Sequence, residues 1–460
     1  MKPHGIEQFQ RRFAGEVLLP ESSSYDTARK VWNGMIDRRP AVIVRCRHAA
    51  DVASAIAYAR AEGLPLAVRG GAHNVAGYAC VDDGLVVDLS TMKSIEIDSA
   101  TRRAVADPGL TWGEFDRATS ASGLATPGGL VSTTGIAGFT LGGGIGWLMR
   151  RYGLTCDNLV SAEVITADGE KLTANDSQHA DLFWALRGGG GNFGVVTRFE
   201  YRLHPVTTVI GGLTLYPAAQ ARAALRFFRE LTDSAPDGLT ALFAFITAPP
   251  APFVPDWLQG KPAVAIVVCY AGDAAKGERV VRPLKQWDPS GVDVVGPVPY
   301  TALQSMLDAG APPGCLNYWK SAYLDSLTDA AIDTIVEHAE RMGSPLAQVH
   351  LHHMGGAVAR VQSDATAFAH RRSAFAVNLV AMWTDAAETD RYVGWARGFS
   401  DALQPHANGA VYVNFLGDEG EARVRAAYGE QTYAKLARIK GRYDPQNVFR
   451  LNQNIKPQLG

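Results

Sequence analysis

The chain has 460 residues, 47% of them hydrophobic and 20% charged, which is an ordinary globular composition with room for two large domains. A net charge of −2 argues against a strongly basic surface, so we expect no nucleic-acid partner. The sequence has no apolar signal segment at its N-terminus, no apolar run near the ~18 residues of a membrane helix and no C-x-x-C pair among five cysteines. These features predict a cytoplasmic protein with reduced thiols and no membrane partner.

The first half of the chain alternates short strands with helices. An apolar stripe over residues 52–59 predicts one helix, and the capping box formed by Thr111 and Glu114 predicts the start of another. Strands are predicted at residues 41–44, 64–68, 85–89, 102–106, 160–166, 171–173 and 195–201.

The glycine clusters stop at about residue 205, where longer elements begin. Strands that are apolar on one face, separated by helices, favour an α+β fold with an antiparallel sheet backed by helices. Strands are predicted at residues 240–247, 263–270, 316–324, 346–354 and 375–383, and helices at 218–232, 327–341 and 386–402.

Three glycine-rich clusters lie at residues 69–77, 128–146 and 187–194. Glycine lets backbone N–H groups approach a ligand with no Cβ between them, as in sites that bind a diphosphate. Tight turns alone would explain any one cluster equally well. The chain contains neither a G-x-x-x-x-G-K-[ST] loop nor a G-x-G-x-x-G after its first strand, so a Walker or nicotinamide site is poorly supported.

The motifs around these clusters resemble a known family. R-G-G-A-H-N at residues 69–74, G-G-G-I-G-W at 142–147 and L-F-W-A-L-R-G-G-G at 182–190 resemble the FAD-binding segments of the vanillyl-alcohol-oxidase superfamily. The tail from Y-D-P at residues 443–445 to Ile455 resembles berberine-bridge-enzyme-like oxidases. The resemblance implies a PCMH-type FAD-binding domain over residues 1–205, an antiparallel-sheet substrate domain over 206–410 and a C-terminal segment, 411–460, that returns to the FAD domain.

The resemblance also implies a function. We expect an FAD-dependent oxidase or dehydrogenase that takes a hydride from a small-molecule alcohol, sugar or amine to flavin N5, with reoxidation by O2. Oxidation of a C–N rather than a C–OH bond stays open, as does a flavin-binding protein without turnover. The residues expected to bind FAD are Arg69, Gly70, Gly71, Ala72, His73, Asn74, Gly77, Tyr78, Gly129, Thr133, Thr134, Gly135, Gly138, Gly143, Gly146, Val195, Val196, Tyr412, Asn452 and Asn454.

His73 matches the family's histidine that is bonded to the 8α-methyl group of FAD. A neutral imidazole, with an ordinary pKa of about 6.5, is a suitable nucleophile near pH 7. Many relatives have a second bond from a cysteine eleven residues before the G-G-G run, but that position is Val131 here. We therefore expect one covalent bond, as in the nicotine-oxidising branch of the family, with Cys156 as the less favoured second attachment point.

Tyr412 is the first candidate for the base that takes the substrate proton, because the family's active-site tyrosine often lies in a Y-x-N segment. A tyrosine base near pH 7 needs a cationic neighbour, and Lys320 is the candidate, with Tyr318 on the same strand face. His350 and His352 would also share a strand face. We expect them to face substrate or to be packed, because no carboxylate or cysteine nearby completes a metal site and the family needs no metal. A serine hydrolase is not supported, since no G-x-S-x-G occurs.

Overall fold

A computed structural model describes residues 5–459 of the chain. The predicted absence of a signal segment concerns residues 1–13, of which the first four lie outside the described residues. The α-helices are Ile6–Arg12, Tyr25–Ala28, Ala49–Ala61, Trp112–Ser120, Ile136–Leu141, Met149–Tyr152, Ala180–Leu186, Ala221–Asp233, Ala274–Trp287, Tyr300–Gln304, Asp329–Ala339, Ala357–Arg360, Thr389–Leu403, Glu421–Tyr428 and Glu430–Tyr443. Within residues 5–459, no helix is long and apolar enough to cross a membrane.

A four-stranded sheet lies near the start of the chain. Its strands, in spatial order, are Glu16–Leu18, Val42–Arg45, Leu85–Asp88 and Leu66–Arg69. The last three run parallel, and their apolar side chains are buried on both faces, as parallel strands require. Helix Ala49–Ala61 packs its predicted stripe on this sheet, and strand Leu66–Arg69 leads directly into the first glycine loop.

A five-stranded antiparallel sheet follows. Its strands, in spatial order, are Ile95–Asp98, Arg103–Ala106, Val195–Arg202, Leu159–Ile165 and Lys171–Asn175. The predicted capping box is confirmed at the start of helix Trp112–Ser120. The Glu114 N–H donates to Thr111 Oγ1 at 3.4 Å, and the Thr111 N–H donates to Glu114 Oε2 at 2.9 Å.

The chain passes from this sheet to an eight-stranded antiparallel sheet between Arg202 and Thr208. Its strands, in spatial order, are Val292–Asp293, Thr208–Pro217, Pro262–Tyr270, Leu239–Thr247, Gln348–His353, Phe375–Trp383 and Leu316–Leu324, with Gly296–Pro299 also paired to Thr208–Pro217. Helices Ala221–Asp233, Asp329–Ala339 and Thr389–Leu403 cover one face through a shared apolar core. The α+β fold with a helix-backed antiparallel sheet is confirmed.

Among the elements of this sheet layer that the sequence patterns missed are one long strand and one long helix. Strand Thr208–Pro217 contains Gly211 and Gly212, which weaken the strand signal, yet a side chain at Gly212 would overlap the Val294 carbonyl. Helix Ala274–Trp287 contains Pro283, which suppresses the helix signal, and it begins at Asp273, whose side chain accepts the Lys276 N–H.

The residues after 410 pack back against the first half of the chain. Tyr412, Tyr428 and Leu436 share a core with Phe193 and Phe199. The division into domains at residues 205 and 410 agrees with these contacts and stays an interpretation.

Lys440, in the last helix, connects the tail to the third glycine-rich cluster. Its buried ammonium donates to the Phe449 carbonyl at 2.8 Å and to Asn192 Oδ1 at 3.3 Å, and it lies 3.5 Å from Asp444 Oδ2. Asp444 in turn accepts the N–H groups of Val448 and Phe449. The Y-D-P motif therefore orders the chain that follows it, next to the third glycine loop.

Candidate active site

A cavity of about 880 Å³ lies between the glycine loops and the uncovered face of the eight-stranded sheet. That volume is in the upper part of the range for ligand pockets. We call residues 70–74, 130–142 and 190–196 the loop wall. The sheet wall consists of the cavity-facing side chains of the large sheet: Leu213, Leu215, Leu242, Ala244, Ile246, Ala265, Val267, Trp319, Gln348, His350, His352, Asn378, Val380 and Met382.

The loop wall depends on close contact between its segments. A Cβ on Gly71 would overlap the backbone of Gly135, and a Cβ on Gly135 would overlap the backbone of Gly71. A Cβ on Gly142 would overlap the Asn414 side chain. Glycine at 71 and 135 lets the first and second glycine loops touch, and glycine at 142 lets the second loop contact Asn414 of the tail.

Two other glycines of the loop wall have a different role. A Cβ on Gly138 or Gly191 would meet no atom within 4 Å, although both residues line the cavity. A side chain at either position would therefore enter the cavity itself. The loop wall is a glycine-lined cradle that leaves backbone open to a bound group.

His73 lies on the loop wall, directly after Ala72, whose φ of 56° is in the left-handed region. Its ring stacks on Trp32 at a centroid distance of 5.3 Å. Thr133 Oγ1 lies 3.2 Å from Nε2, and Thr134 Oγ1 lies 3.5 Å from Nδ1. A left-handed non-glycine residue at such a loop marks a constrained backbone, and the constraint here presents the imidazole to the cavity.

Burial lowers the pKa of His73 to about 4, with the Asp308 carboxylate opposing the shift. The imidazole is therefore neutral near pH 7, the form that has a free lone pair. This is the protonation state that the predicted bond to a flavin requires.

The five cysteines are all buried, and among the described residues that line the cavity there is no cysteine. Val131 does line it. The Cys156 thiol lies 3.8 Å from Asp157 Oδ1, and burial raises its pKa. Neither the position nor the protonation state of Cys156 favours attachment to a flavin.

Tyr412 is buried and lines the cavity. Its oxygen accepts the Gly144 N–H at 2.9 Å and the Asn414 amide at 2.8 Å. Burial raises the pKa of its hydroxyl, although both hydrogen bonds act in the opposite direction. The phenol is thus protonated near pH 7, and it joins the second glycine loop to the tail.

The structure does not place Lys320 beside Tyr412, which corrects the predicted cationic neighbour. The Lys320 ammonium pairs with Glu419, and the Tyr318 hydroxyl accepts a hydrogen bond from Arg397 at 3.1 Å. Both residues share one face of their strand, as predicted, with the ammonium 5.6 Å from the Tyr318 ring centroid. Neither lines the cavity. Side chains alternate between the two faces of the strand, and Trp319, between them in sequence, is on the face toward the cavity.

The predicted FAD-binding residues fall into two groups. Those that line the cavity are Gly70, Gly71, Ala72, His73, Asn74, Tyr78, Thr134, Gly135, Gly138, Val195, Val196, Tyr412 and Asn452. Those that do not line it are Arg69, Gly77, Gly129, Thr133, Gly143, Gly146 and Asn454.

Several residues of the second group support the first. The buried Arg69 guanidinium donates to the carbonyls of Ala28, Arg29 and Lys30, which holds the start of the His73 loop. Thr133 contacts His73 as described above. Asn454 Oδ1 accepts from Lys440 at 3.3 Å.

Sequence reasoning missed residues on both walls. The missed residues that contribute to the lining include Trp32, Phe139, Asn414, Gln348, Asn378, Met306, Leu307 and residues 309–311. Gln348 and Asn378 could have been found only from strand register, since neither belongs to a local motif. Asn414 belongs to the Y-x-N segment, but the sequence does not show that its side chain contacts Gly142.

Fold and cavity together define an enzyme class, the FAD-dependent oxidoreductases. Residues 40–175 match the FAD binding domain family, and residues 411–456 match the berberine and berberine-like family. An FAD-linked oxidoreductase of Dictyostelium discoideum is 31% identical over 455 residues, which are 98% of this chain and 97% of that protein. The chain therefore belongs to the berberine-bridge-enzyme-like branch of the PCMH-type FAD oxidases.

Two further relatives show the same full-length similarity. (R)-6-hydroxynicotine oxidase of Paenarthrobacter nicotinovorans is 31% identical over 459 residues, covering 96% of this chain and 97% of that protein. The solved structure of Physcomitrella patens BBE-like 1 is similar with a TM-score of 0.90 and 25% identity, covering 99% of this chain and 100% of that one.

The cavity fits FAD on its own features. The cradle around Gly138 and Gly191 is space that a side chain would fill, and His73 is a neutral nucleophile on the same wall. Asn452 lines the cavity with a buried Oδ1 that has no hydrogen-bond partner in residues 5–459. Residues of the loop wall and the adjoining tail would hold the cofactor, and the sheet wall would face the substrate.

Proposed function

We propose that this protein oxidises an alcohol or amine, that its FAD is bonded to His73 alone, and that O2 reoxidises the cofactor. The supporting observation is the position of His73: a neutral imidazole on a glycine cradle, fixed between Trp32 and two threonines. The cysteine-free lining supports the single bond. FAD, when bound, supplies the hydride acceptor.

The residues of this chain have separate tasks in such a reaction. The loop wall holds the cofactor, and the largely apolar sheet wall excludes water and orients the substrate. A base must also take the substrate proton. Tyr412 as that base stays a prediction: it lines the cavity and accepts hydrogen bonds from Gly144 and Asn414, but among residues 5–459 no cationic side chain is hydrogen-bonded to it.

The test begins with purified protein and a panel of alcohols and amines. Anaerobic bleaching of the flavin by a panel member, followed by peroxide release on admission of air, is the expected result. Bleaching without peroxide would favour a dehydrogenase that uses another acceptor. Protein that binds flavin but is bleached by no alcohol or amine would contradict the proposed function and favour a binding protein.

A further inference from the structure

The hydrogen-bonding side chains of the sheet wall, apart from Trp319, lie on two neighbouring strands: Gln348, His350 and His352 on one and Asn378 on the other. Strand register places Ser321, Asn378 and His350 side by side across three strands, with Ala244 next in line. Asn378 Oδ1 and Ser321 Oγ are buried and have no hydrogen-bond partner among residues 5–459. His350 and Asn378 line the cavity, whereas Ser321 does not, so the two adjacent side chains His350 and Asn378 are where a substrate's polar group would be accepted.

The side chains that line the cavity are uncharged, and the nearby Asp308 carboxylate lies outside the lining, where it accepts hydrogen bonds from Ser132. Among the described residues that line the cavity there is no Asp, Glu, Lys or Arg. A buried ammonium or carboxylate needs an opposite charge, because desolvation is otherwise uncompensated. A sugar needs many hydrogen-bonding groups, and the sheet wall offers few. The cavity therefore suits a molecule with an apolar body and one uncharged polar group.

The hydrogen bonds around His350 fix its tautomer. The Gln348 amide donates from Nε2 to the Gly310 carbonyl at 2.8 Å, and a carbonyl can only accept. Gln348 Oε1 therefore faces His350 Nε2, at 2.8 Å, and must accept from it. The proton is on Nε2, so Nδ1 has the free lone pair, and no hydrogen bond to Nδ1 occurs within residues 5–459.

The surroundings of His350 keep it neutral. Its cross-strand neighbours, Ala244 and Asn378, are uncharged. The titratable neighbour on its own strand is His352, at a ring distance of 5.7 Å, and burial lowers the pKa of both imidazoles. His353 points away from the cavity and contacts Arg150.

We propose that His350 Nδ1 is the acceptor for the hydroxyl proton of an apolar, uncharged alcohol, with Gln348 as the positioning residue that holds the imidazole in the Nε2-protonated tautomer. This inference rests on the proposed function and deepens it. In the oxidation the O–H proton would pass to Nδ1 and the C–O bond would become a carbonyl, and FAD, when bound, would supply the acceptor for the hydride of the adjacent C–H. The imidazolium then returns its proton to solvent.

The substrate class is tested by binding, which does not require turnover. Flavin-loaded protein is titrated anaerobically with 2-naphthalenemethanol, 2-naphthylmethylamine and 2-naphthoate, and the flavin absorbance is followed. We expect the alcohol to bind about tenfold or more tightly than the cation or the anion, since neither charge has a partner in the cavity. An amine or carboxylate that binds as tightly as the alcohol, or an alcohol that does not bind, would overturn the proposal.

The role of His350 is tested by comparing the alcohol with 2-methylnaphthalene, which lacks the hydroxyl. The preference for the alcohol should fall about tenfold in His350→Ala, because one hydrogen bond is lost. It should also fall in Gln348→Leu but persist in Gln348→Glu, which keeps an acceptor for the Nε2 proton. The matched control is His406→Gln, which should leave the preference unchanged. His406 is hydrogen-bonded to Thr334 and lies outside the cavity lining.

An unchanged preference in His350→Ala would refute the assignment, and equal losses in both Gln348 variants would refute the positioning role. Covalent flavin content is measured in every variant. If the preference for the alcohol falls while the flavin content stays normal, the result supports the role of His350. Wild-type protein without bound flavin would instead contradict the proposed function.

Discussion

The two walls of the cavity are built in different ways. The loop wall is made of short segments, with glycines at the positions where backbones touch, such as Gly71 against Gly135. The sheet wall is made of side chains from strands far apart in the chain, such as Gln348, Asn378 and Trp319. The loop wall depends on contacts between backbone segments. The sheet wall presents side chains from several strands to the cavity.

The largest expected effect is on the loop wall, at His73. His73→Ala should abolish covalent attachment of flavin, because no cysteine of the described residues lines the cavity to replace it. Acid-precipitated variant should lose its yellow fluorescence, while His350→Ala on the sheet wall should keep it. A variant at His73 that stays covalently yellow would contradict the assignment.

Two glycine variants separate the two roles that glycine has in the loop wall. Gly71→Ala should lower the free energy of unfolding by roughly 1–3 kcal/mol, since its Cβ would overlap the Gly135 backbone. Gly191→Ala should leave the stability of flavin-free protein nearly unchanged but reduce flavin loading, because its Cβ enters open cavity. Thermal unfolding of flavin-free protein and flavin absorbance measure the two effects, and equal behaviour of the two variants would contradict the distinction.

The variant Tyr412→Phe tests whether Tyr412 is the catalytic base, as the sequence predicts, or a structural hydrogen-bond acceptor, as its contacts indicate. A base at Tyr412 predicts a fall in flavin reduction of roughly 10²–10⁴ in the variant. Its oxygen accepts two N–H groups and its pKa is raised by burial, so we expect a fall of less than about tenfold with a loss of stability of about 1–2 kcal/mol. Stopped-flow reduction and denaturant unfolding give the two quantities, and the larger fall in rate would restore Tyr412 as the base.

The smallest effect concerns Asp116, where helix Trp112–Ser120 meets helix Tyr300–Gln304. Burial raises its pKa to about 8, against about 4 in an unfolded chain, with the neighbouring Gln304 amide opposing the shift. The folded protein then binds the proton more tightly, so stability falls as pH rises from about 4 to about 8. Relative to the wild type, Asp116→Asn should become more stable by about 1 kcal/mol or more as the pH rises from 5 to 8.

Thermal unfolding at both pH values measures this gain. Asp364→Asn, at an exposed position, is the control and should show no such trend. A constant difference between Asp116→Asn and wild type across the range would show that Asp116 does not titrate there.

The sequence predicted the loop wall far better than the sheet wall. R-G-G-A-H and the G-G-G run are local motifs that resemble the FAD-binding segments of a known family, and this resemblance led to His73 and to several glycines that line the loop wall. Most strands of the large sheet were predicted within two residues, since alternation and length mark them. The face of strand Leu316–Leu324 was chosen wrongly, because alternation shows that Tyr318 and Lys320 share a face but not which face meets the cavity.

The polar side chains of the sheet wall show the same limit. His350 and Asn378 are neighbours only through the register of strands Gln348–His353 and Phe375–Trp383. The partner of Gln348, Gly310, comes from a third segment. Nothing within ten residues of His350 indicates these contacts, so its tautomer could not be read from the sequence.

The most direct test of the account is a peptide map of the purified, flavin-loaded protein by mass spectrometry. Our account predicts a single flavin-bearing peptide, the one that contains His73, with the peptides of Cys156 and of the other four cysteines unmodified. A flavin on any cysteine, or a His73 peptide without flavin, would contradict it.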